Sequence, residues 1–352
     1  MVRTAKDAQA RGDRDAVVLE VEDMTVQFPT AGGWLTVVDH VSFTVRRNTV
    51  MAIVGESGSG KSVTALAIVG LIAPLGGRIS SGAVRFDGKD LRGLSQRSLN
   101  EFRGDQIGFI FQDPMSSLNP AFTVGEQIAE VVRRHRGANR KVAWQRAVEM
   151  LDRVGIASAG QRAKEYPHHF SGGMRQRVMI AVALACDPKL LIADEPTTAL
   201  DVTIQARTLE LLKDLQVDTG MSVLFITHDL GVVADIADSV SVMYASHLVE
   251  RALVTELFDA PKHPYTAGLL RAMPQTALET GQPLSGIPGV VPQPHALPSG
   301  CRFHPRCGFC QEGRCTTTPI ELRAVGTADV RCVRTEEIAA ELRSIAHERA
   351  GI

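Results

Sequence analysis

The stretch TVMAIVG, residues 49–55, runs into GESGSGKS, residues 55–62, and then into SVTALAIVGLI, residues 62–72. A short apolar run ending at glycine reads as a fully buried strand, and the segment after the turn reads as a helix. Glycines at 55, 58 and 60 let the connecting turn fold tightly enough for successive N–H groups to converge. The following helix adds about half a positive charge at its N-terminus. Such a turn is a phosphate cradle, with Gly55, Ser57, Gly58, Ser59, Gly60, Lys61, Ser62 and Val63 as its candidate contacts. Lys61 is expected to reach the β- and γ-phosphates of a nucleotide, and the Ser62 hydroxyl to sit on Mg²⁺. The bland alternative is a glycine-rich turn with no ligand; the strand-turn-helix context argues against it.

The flanking sequence supports an α/β fold. VVLEVEDMTVQF (17–28) alternates like a half-buried strand, and LTVVDHVSFTV (35–45) resembles its partner. Residues 123–186 read as mostly helical, after which LLIAD (190–194) and SVLFITH (222–228) are further buried strands. Strand-loop-helix units with continuous apolar strands imply a parallel sheet, here interrupted by a helical insertion. Past about 273 the chain turns rich in proline and glycine, as a linker or surface-wrapping loop would, and TEEIAAELRSIAHERA (335–350) predicts a closing amphipathic helix.

Composition limits the function classes. A net charge of −1 argues against a dedicated nucleic-acid binder, and a 44% hydrophobic content suits a chain with a real core. No apolar run approaches the roughly 18 residues of a membrane span. The opening MVRTAKDAQARGDRDA is charged and lacks an apolar core, which predicts a solvated tail, no secretory signal and a cytoplasmic setting with reduced cysteines.

LLIADEP (190–196) carries the second half of a nucleotide chemistry. Asp194 emerges at the carboxyl end of a buried strand, where it can hold Mg²⁺, and Glu195 can polarise an attacking water. Alone, an acidic pair there would more often cap a helix; the phosphate turn upstream reverses that reading.

FSGGMRQR (170–177) resembles the signature motif of ABC-transporter ATPases, with Phe170 and Met174 in place of the family's usual end residues. The resemblance covers residues 17–273, because further motifs fall in the family's order: Gln112 in FQDP, Asp201 closing TTALD, and His228 in ITHD. It implies a P-loop NTPase with a RecA-like core, an antiparallel β subdomain and a helical subdomain over about 113–188. It also implies that Gln112 touches Mg²⁺ and water, that Ser62, Gln112 and Asp194 serve Mg²⁺, and that His228 faces the γ-phosphate. Ser171, Gly172, Gly173, Met174 and Asp201 would act in trans, each of two head-to-tail chains closing the other's ATP site. Phe28 is the candidate aromatic for stacking on adenine, with Trp34 second; either could equally be an ordinary core or surface aromatic. FQDPMSSLNP, YPHHFSGGMRQR, DVTIQA and KHPYTAGLL are similar to the ATPases of bacterial oligopeptide, dipeptide and nickel importers, in which a proline-rich tail ending in cysteines follows the ATPase. The implied layout is a flexible tail over 1–16, the ATPase domain over 17–273, a linker over 274–300 and a small Cys-rich domain over 301–352.

Four of the six cysteines lie in SGCRFHPRCGFCQEGRC, residues 299–315, spaced C-x5-C-x2-C-x4-C, and Cys332 follows. A reduced setting makes a metal or cofactor site more natural than disulfides. Zinc usually asks for two short C-x2-4-C pairs, and only Cys307 and Cys310 form one; irregular spacing with a distant last ligand suits a four-cysteine iron–sulfur cluster. CRFHPRC matches the start of the importer group's cysteine motif, which implies a [4Fe–4S] cluster on Cys301, Cys307, Cys315 and Cys332. Cys310 remains an alternative ligand and Zn²⁺ the alternative cofactor. Cys186, in VALAC, reads as a buried small hydrophobe.

The expected function is Mg²⁺-dependent ATP hydrolysis that powers import of peptides, or of a related small solute such as nickel. The expected partners are a second ATPase subunit (a paralogue), two transmembrane permeases and an extracytoplasmic binding protein, with the chain peripheral on the cytoplasmic face of the membrane. The rivals are a soluble ABC-type ATPase of translation or DNA repair, and an iron–sulfur redox or sensor protein with a regulatory nucleotide site.

Overall fold

The structure is a computed structural model that describes residues 16–113, 117–198, 201–273 and 286–346. The expected tail therefore lies outside the described residues except for its last residue, as do the first part of the linker and the end of the closing helix. In chain order the elements begin β1 (Val17–Thr30), β2 (Gly33–Arg46), β3 (Val50–Val54), α1 (Lys61–Ile68), β4 (Arg78–Phe86), β5 (Lys89–Asp90) and α2 (Gln96–Phe102). There follow β6 (Ile107–Ile110), α3 (Val124–Arg136), α4 (Arg140–Arg153), α5 (Ala159–Arg162), α6 (Gly172–Leu184), β7 (Leu190–Asp194), α7 (Val202–Thr219) and β8 (Ser222–Thr227). The chain continues through α8 (Leu230–Ile236), β9 (Ser239–Tyr244), β10 (His247–Leu253), α9 (Val254–Asp259), α10 (Pro264–Arg271), β11 (Arg323–Val325), β12 (Ala328–Val330) and α11 (Ala339–Ala346).

These elements fall into two compact units. The first comprises Met1–Leu19, Thr44–Val50 and Arg85–Ile226. In it β6, β7 and β8 pair in parallel, with Ile107 opposite Leu190 and Leu190 opposite Ser222. β7 is buried along its whole length, which is why LLIA carries no alternation. The helical stretch divides at clear stops. Thr123, Asn139 and Ser171 cap α3, α4 and α6 by accepting the amides of Glu126, Val142 and Met174. Gly137, at positive φ, ends α3. Val124, Ile128, Ala129 and Val132 form the buried stripe of α3.

The second unit comprises Glu20–Phe43, Met51–Val84 and Thr227–Ile352. Here β3 runs parallel to β9, with Ala52 opposite Val240 and Val54 opposite Val242. β9 pairs antiparallel with β10, β10 with β12, and β12 with β11. Strands from the cysteine-rich segment thus join the sheet that carries the strand before the phosphate turn. Strands β2, β1 and β4 lie side by side, β1 and β2 joined by a two-residue turn as an antiparallel pair allows.

Two elements end earlier or begin later than their sequence patterns suggest. The helix expected over 62–72 stops at Ile68, because Gly70 adopts φ 67° and the Leu71 amide turns back to Leu66 O at 2.8 Å. The closing helix begins at Ala339 rather than Thr335. Thr335 is buried and its hydroxyl donates to Lys262 O, which commits that turn to α10. Among the described residues no helix is long and apolar enough to cross a membrane.

Candidate functional site

The phosphate turn closes between β3 and α1 with Gly55, Gly58 and Gly60 at φ 153°, 78° and 105°. A Cβ on Gly55 would lie 2.0 Å from Met243 O, and one on Gly60 2.7 Å from Val37 O, so neither position admits a side chain. Lys61 is 4% exposed, and its Nζ donates to Gly55 O at 2.8 Å and Glu56 O at 3.1 Å. The ammonium is thereby folded over its own loop, at the N-terminus of α1 where positive potential collects. Ser57 and Gly58 are exposed, while Ser59 is buried with a hydroxyl that has no partner among the described residues. Ser62 and Val63 occupy the first turn of α1.

In the first unit the carboxylates leave β7 as its pattern suggests. Asp194 is buried at the strand's last position, and Glu195 follows at φ 46°, a left-handed conformation unusual for a residue with a side chain. The Glu195 amide donates to Ile226 O at 2.9 Å. Its carboxylate accepts from Gln112 Nε2 at 3.0 Å and Thr198 Oγ1 at 2.9 Å, so the glutamine and glutamate singled out in the sequence meet. Ser171 caps α6 with Gly172 exposed beside it, while Gly173 packs against Ile204. Asp201 is exposed and caps α7 through the Ile204 amide at 2.9 Å; residues 199 and 200 of TTALD lie outside the described residues. In the second unit, exposed His228 follows β8, and Asp229 caps α8. Phe28 is half-buried against Gly77, where a Cβ would approach its ring to 2.7 Å, and the Arg78 guanidinium lies 3.7 Å over the exposed Trp34 ring.

The ABC transporter family profile matches residues 38–198, and the profile of the oligopeptide/dipeptide transporter C-terminal region matches residues 249–315. The oligopeptide transport ATP-binding protein AppD of Bacillus subtilis (strain 168) is 50% identical over 326 residues, covering 93% of this chain and 99% of AppD. The chain belongs to the ATP-binding subunits of oligopeptide/dipeptide ABC transporters. Its members are ATPases that couple ATP hydrolysis to peptide import. The fold is similar to the dimeric ATP-binding cassette MJ0796 bound to ADP and Pi, with a TM-score of 0.59 and 28% identity over 67% of this chain and 98% of that one. It is also similar to cbiO1 from Clostridium perfringens, part of the transporter complex cbiONQ, with a TM-score of 0.59 and 27% identity over 69% and 91% of the two chains.

The importer-type C-terminal region brings Cys301, Cys307, Cys310, Cys315 and Cys332 to the wall of one cavity, with His263, Phe303 and Phe309 among its other lining residues. Cys315 and Cys332 are buried, Cys301 and Cys307 half-buried and Cys310 exposed. The amides of Phe303, Phe309 and Arg334, each two residues beyond a cysteine, donate to Cys301, Cys307 and Cys332. The Gln311 amide reaches Cys315 Sγ at 3.5 Å. Burial pushes the Cys301 thiol up to about 11 and the Cys307 thiol up to about 12. His263 is buried, and burial depresses its imidazole to about 3. Its Nδ1 accepts the Tyr265 amide at 3.1 Å, which leaves the ring proton on Nε2, and Nε2 has no partner among the described residues. Among the described residues no three Cys, His, Asp or Glu side chains converge closely enough to hold a single metal ion. Cys186 is buried outside this cavity, its Sγ near Val131 O.

Several residues of this importer ATPase went unmarked in the sequence. Glu56, within the phosphate turn, is bridged by Arg306 from CRFHPRC. Buried Glu250 accepts the amides of Lys262 and His263 at the start of KHPYTAGLL. The two quoted motifs were the available signal, but neither names its distant partner.

Proposed function

We propose that this chain binds Mg·ATP at its phosphate turn and hydrolyses it in a site completed by a second ATPase subunit, powering import of peptides. The observation that carries the reading is the phosphate turn itself: three glycines at positive φ, Lys61 folded across the loop, and α1 behind it. Lys61, the loop amides from Ser57 to Val63 and the N-terminus of α1 hold the phosphates. Glu195 orients or deprotonates the attacking water, Gln112 holds the Glu195 carboxylate, and His228 aligns the γ-phosphate. Ser62, Gln112 and Asp194 would hold Mg²⁺, which would supply neutralisation of the developing phosphate charge. One carboxylate plus hydroxyl, amide and phosphate oxygens suits Mg²⁺, which rarely sits in an all-protein cage. Ser171, Gly172, Gly173, Met174 and Asp201 face the other subunit's nucleotide; the exposure of Ser171, Gly172 and Asp201 is consistent with that, as is Val202, 83% exposed beside Asp201, while Gly173 is buried against Ile204. Phe28 stacks on adenine. The partner ATPase is a paralogue, and the assembly includes two permeases and an extracytoplasmic binding protein, with this chain on the cytoplasmic face of the membrane.

Cys301, Cys307, Cys315 and Cys332 would hold a [4Fe–4S] cluster in the thiol cavity, with exposed Cys310 as the alternative ligand. Two features support the fit: amides aimed at the sulfurs and an apolar wall. Bound there, the group would act as a structural clamp on the C-terminal segment.

Replacing Glu195 by Gln is expected to lower ATP turnover by about 10³-fold while ATP-bound dimers accumulate. Normal turnover in that variant would sink the catalytic assignment. Anaerobically purified protein is expected to absorb near ~400 nm. Colourless protein carrying one zinc per chain would overturn the cluster and leave the ATPase reading standing.

A further inference from the structure

The second residue of the phosphate turn, Glu56, is tied to the cysteine-rich segment 250 residues away. Arg306 Nη1 lies 3.0 Å from Glu56 Oε1 and 3.2 Å from Oε2, and Nη2 lies 3.2 Å from Oε2. This is a two-nitrogen grip of the kind that fixes orientation as well as charge. The other donors of Arg306 are also committed: Nε to Pro288 O at 2.7 Å, Nη2 to Ile287 O at 3.2 Å, and Nη1 to Tyr244 Oη at 3.4 Å. The arginine side chain is 5% exposed and lies over the rings of Tyr244 and Phe303. A second tie reaches the same loop residue, since the Glu56 amide donates to the hydroxyl of fully buried Tyr265 at 2.9 Å. Tyr265 packs on Tyr244 at 4.6 Å and on Phe303 at 5.4 Å between ring centres. Arg306 directly precedes Cys307, and Phe303 lines the thiol cavity.

We propose that Arg306 is a positioning residue for the phosphate turn, through which the cysteine-rich segment sets nucleotide affinity. The inference rests on the reading of GESGSGKS as the nucleotide site. Electrostatics explains why the tie matters. An unpaired Glu56 carboxylate in the loop would oppose the charge of a polyphosphate; Arg306 neutralises it and fixes the loop's first turn in place. Tyr265 takes the Glu56 amide out of play, so the later loop amides present the anion site. If the pair were only stabilising, removing either partner would lower the melting temperature and leave nucleotide affinity alone. A positioning pair makes affinity depend on which partner is removed.

Equilibrium binding of Mg·ADP to the full-length chain separates these cases, with thermal midpoints measured alongside. Arg306→Gln is expected to weaken binding about tenfold, because it leaves the Glu56 charge uncompensated. Glu56→Gln removes that charge, and binding is expected within about twofold of the parent. The double variant is expected to recover to within about threefold of the parent, tighter than Arg306→Gln alone. Equal binding across the series, or a double variant as weak as the product of the singles, overturns the inference. Arg306→Lys keeps the charge without the fork and carries the test if Arg306→Gln fails to fold. It is expected to weaken binding about threefold, and unchanged binding overturns the inference. A parent chain that binds no Mg·ADP overturns the nucleotide-site reading and this inference together; a parent that binds, with indifferent variants, sinks this inference alone.

Discussion

The phosphate turn and the thiol cavity belong to one compact unit but solve ligand binding in opposite ways. The turn uses main chain: glycines at 55, 58 and 60 aim amides, and the dipole of α1 supplies fixed positive potential that no pH change removes. Its lysine already donates to the Gly55 and Glu56 oxygens, so the turn is formed before a nucleotide arrives. The cavity uses side chains, and its thiols are held protonated by the burial that shapes it, Cys301 near 11 and Cys307 near 12. It becomes complementary to a cation only as protons leave. One site is preorganised by backbone conformation, while the other, on the cluster proposal, would be organised by its occupant.

If that contrast holds, the two sites can be broken separately. Lys61→Ala removes a buried, charge-assisted contact to the phosphates, and Mg·ADP binding is expected to fall by about 100-fold or more. The absorbance near ~400 nm should stay unchanged. Loss of colour and nucleotide binding together would show that the sites are a single cooperative structure and end the comparison.

The same contrast explains what was legible in the sequence. GESGSGKS and LLIADEP are contiguous, and their chemistry is fixed by local conformation, so the turn, Asp194 and Glu195 could be read from spacing. The meeting of Gln112 with Glu195 was indicated only by motif order. β9 and β10 went unread although both are largely buried. In β10 the register shifts between Leu248 and Glu250, and a fully buried glutamate interrupts the apolar pattern that marks a strand. The Arg306–Glu56 bridge spans 250 residues, and no local periodicity encodes so distant a pairing. The cysteines were conspicuous, but their amide donors and the orphaned Nε2 of His263 depend on the fold around them.

Glu250 underlies both sites, because its carboxylate caps the start of α10 through the Lys262 and His263 amides at 2.8 and 2.9 Å. From that helix Tyr265 reaches the phosphate turn and His263 the thiol cavity. Burial raises the Glu250 carboxyl from 4.5 to about 7. Between those values the folded state binds the proton that the unfolded chain has released, so this group's contribution is full below about pH 4.5 and lost as pH rises through about 7. The difference amounts to about 3 kcal/mol. Glu250→Gln cannot titrate, so urea unfolding at pH 5 and pH 8 should show a smaller fall for the variant than for the parent. Equal falls would mean that the carboxyl titrates normally and the shared base is not pH-sensitive.

The smallest expected effect is the most selective. His263 has two jobs: Nδ1 caps α10 by accepting the Tyr265 amide, and the residue lines the thiol cavity. Asparagine is a good helix cap with a shorter reach, so His263→Asn retains the first job and withdraws the second. If the ring donates to a sulfur of the proposed cluster, it favours the more negative, reduced state, and its removal should lower the midpoint potential by up to about 59 mV, tenfold in a one-electron equilibrium. Mg·ADP affinity should not change, because Tyr265 keeps its place on α10 and its hold on Glu56. An unshifted potential in protein that still carries its chromophore would remove His263 from the cavity's chemistry. A shifted potential accompanied by weaker nucleotide binding would instead show that α10 moves as one body between the two sites.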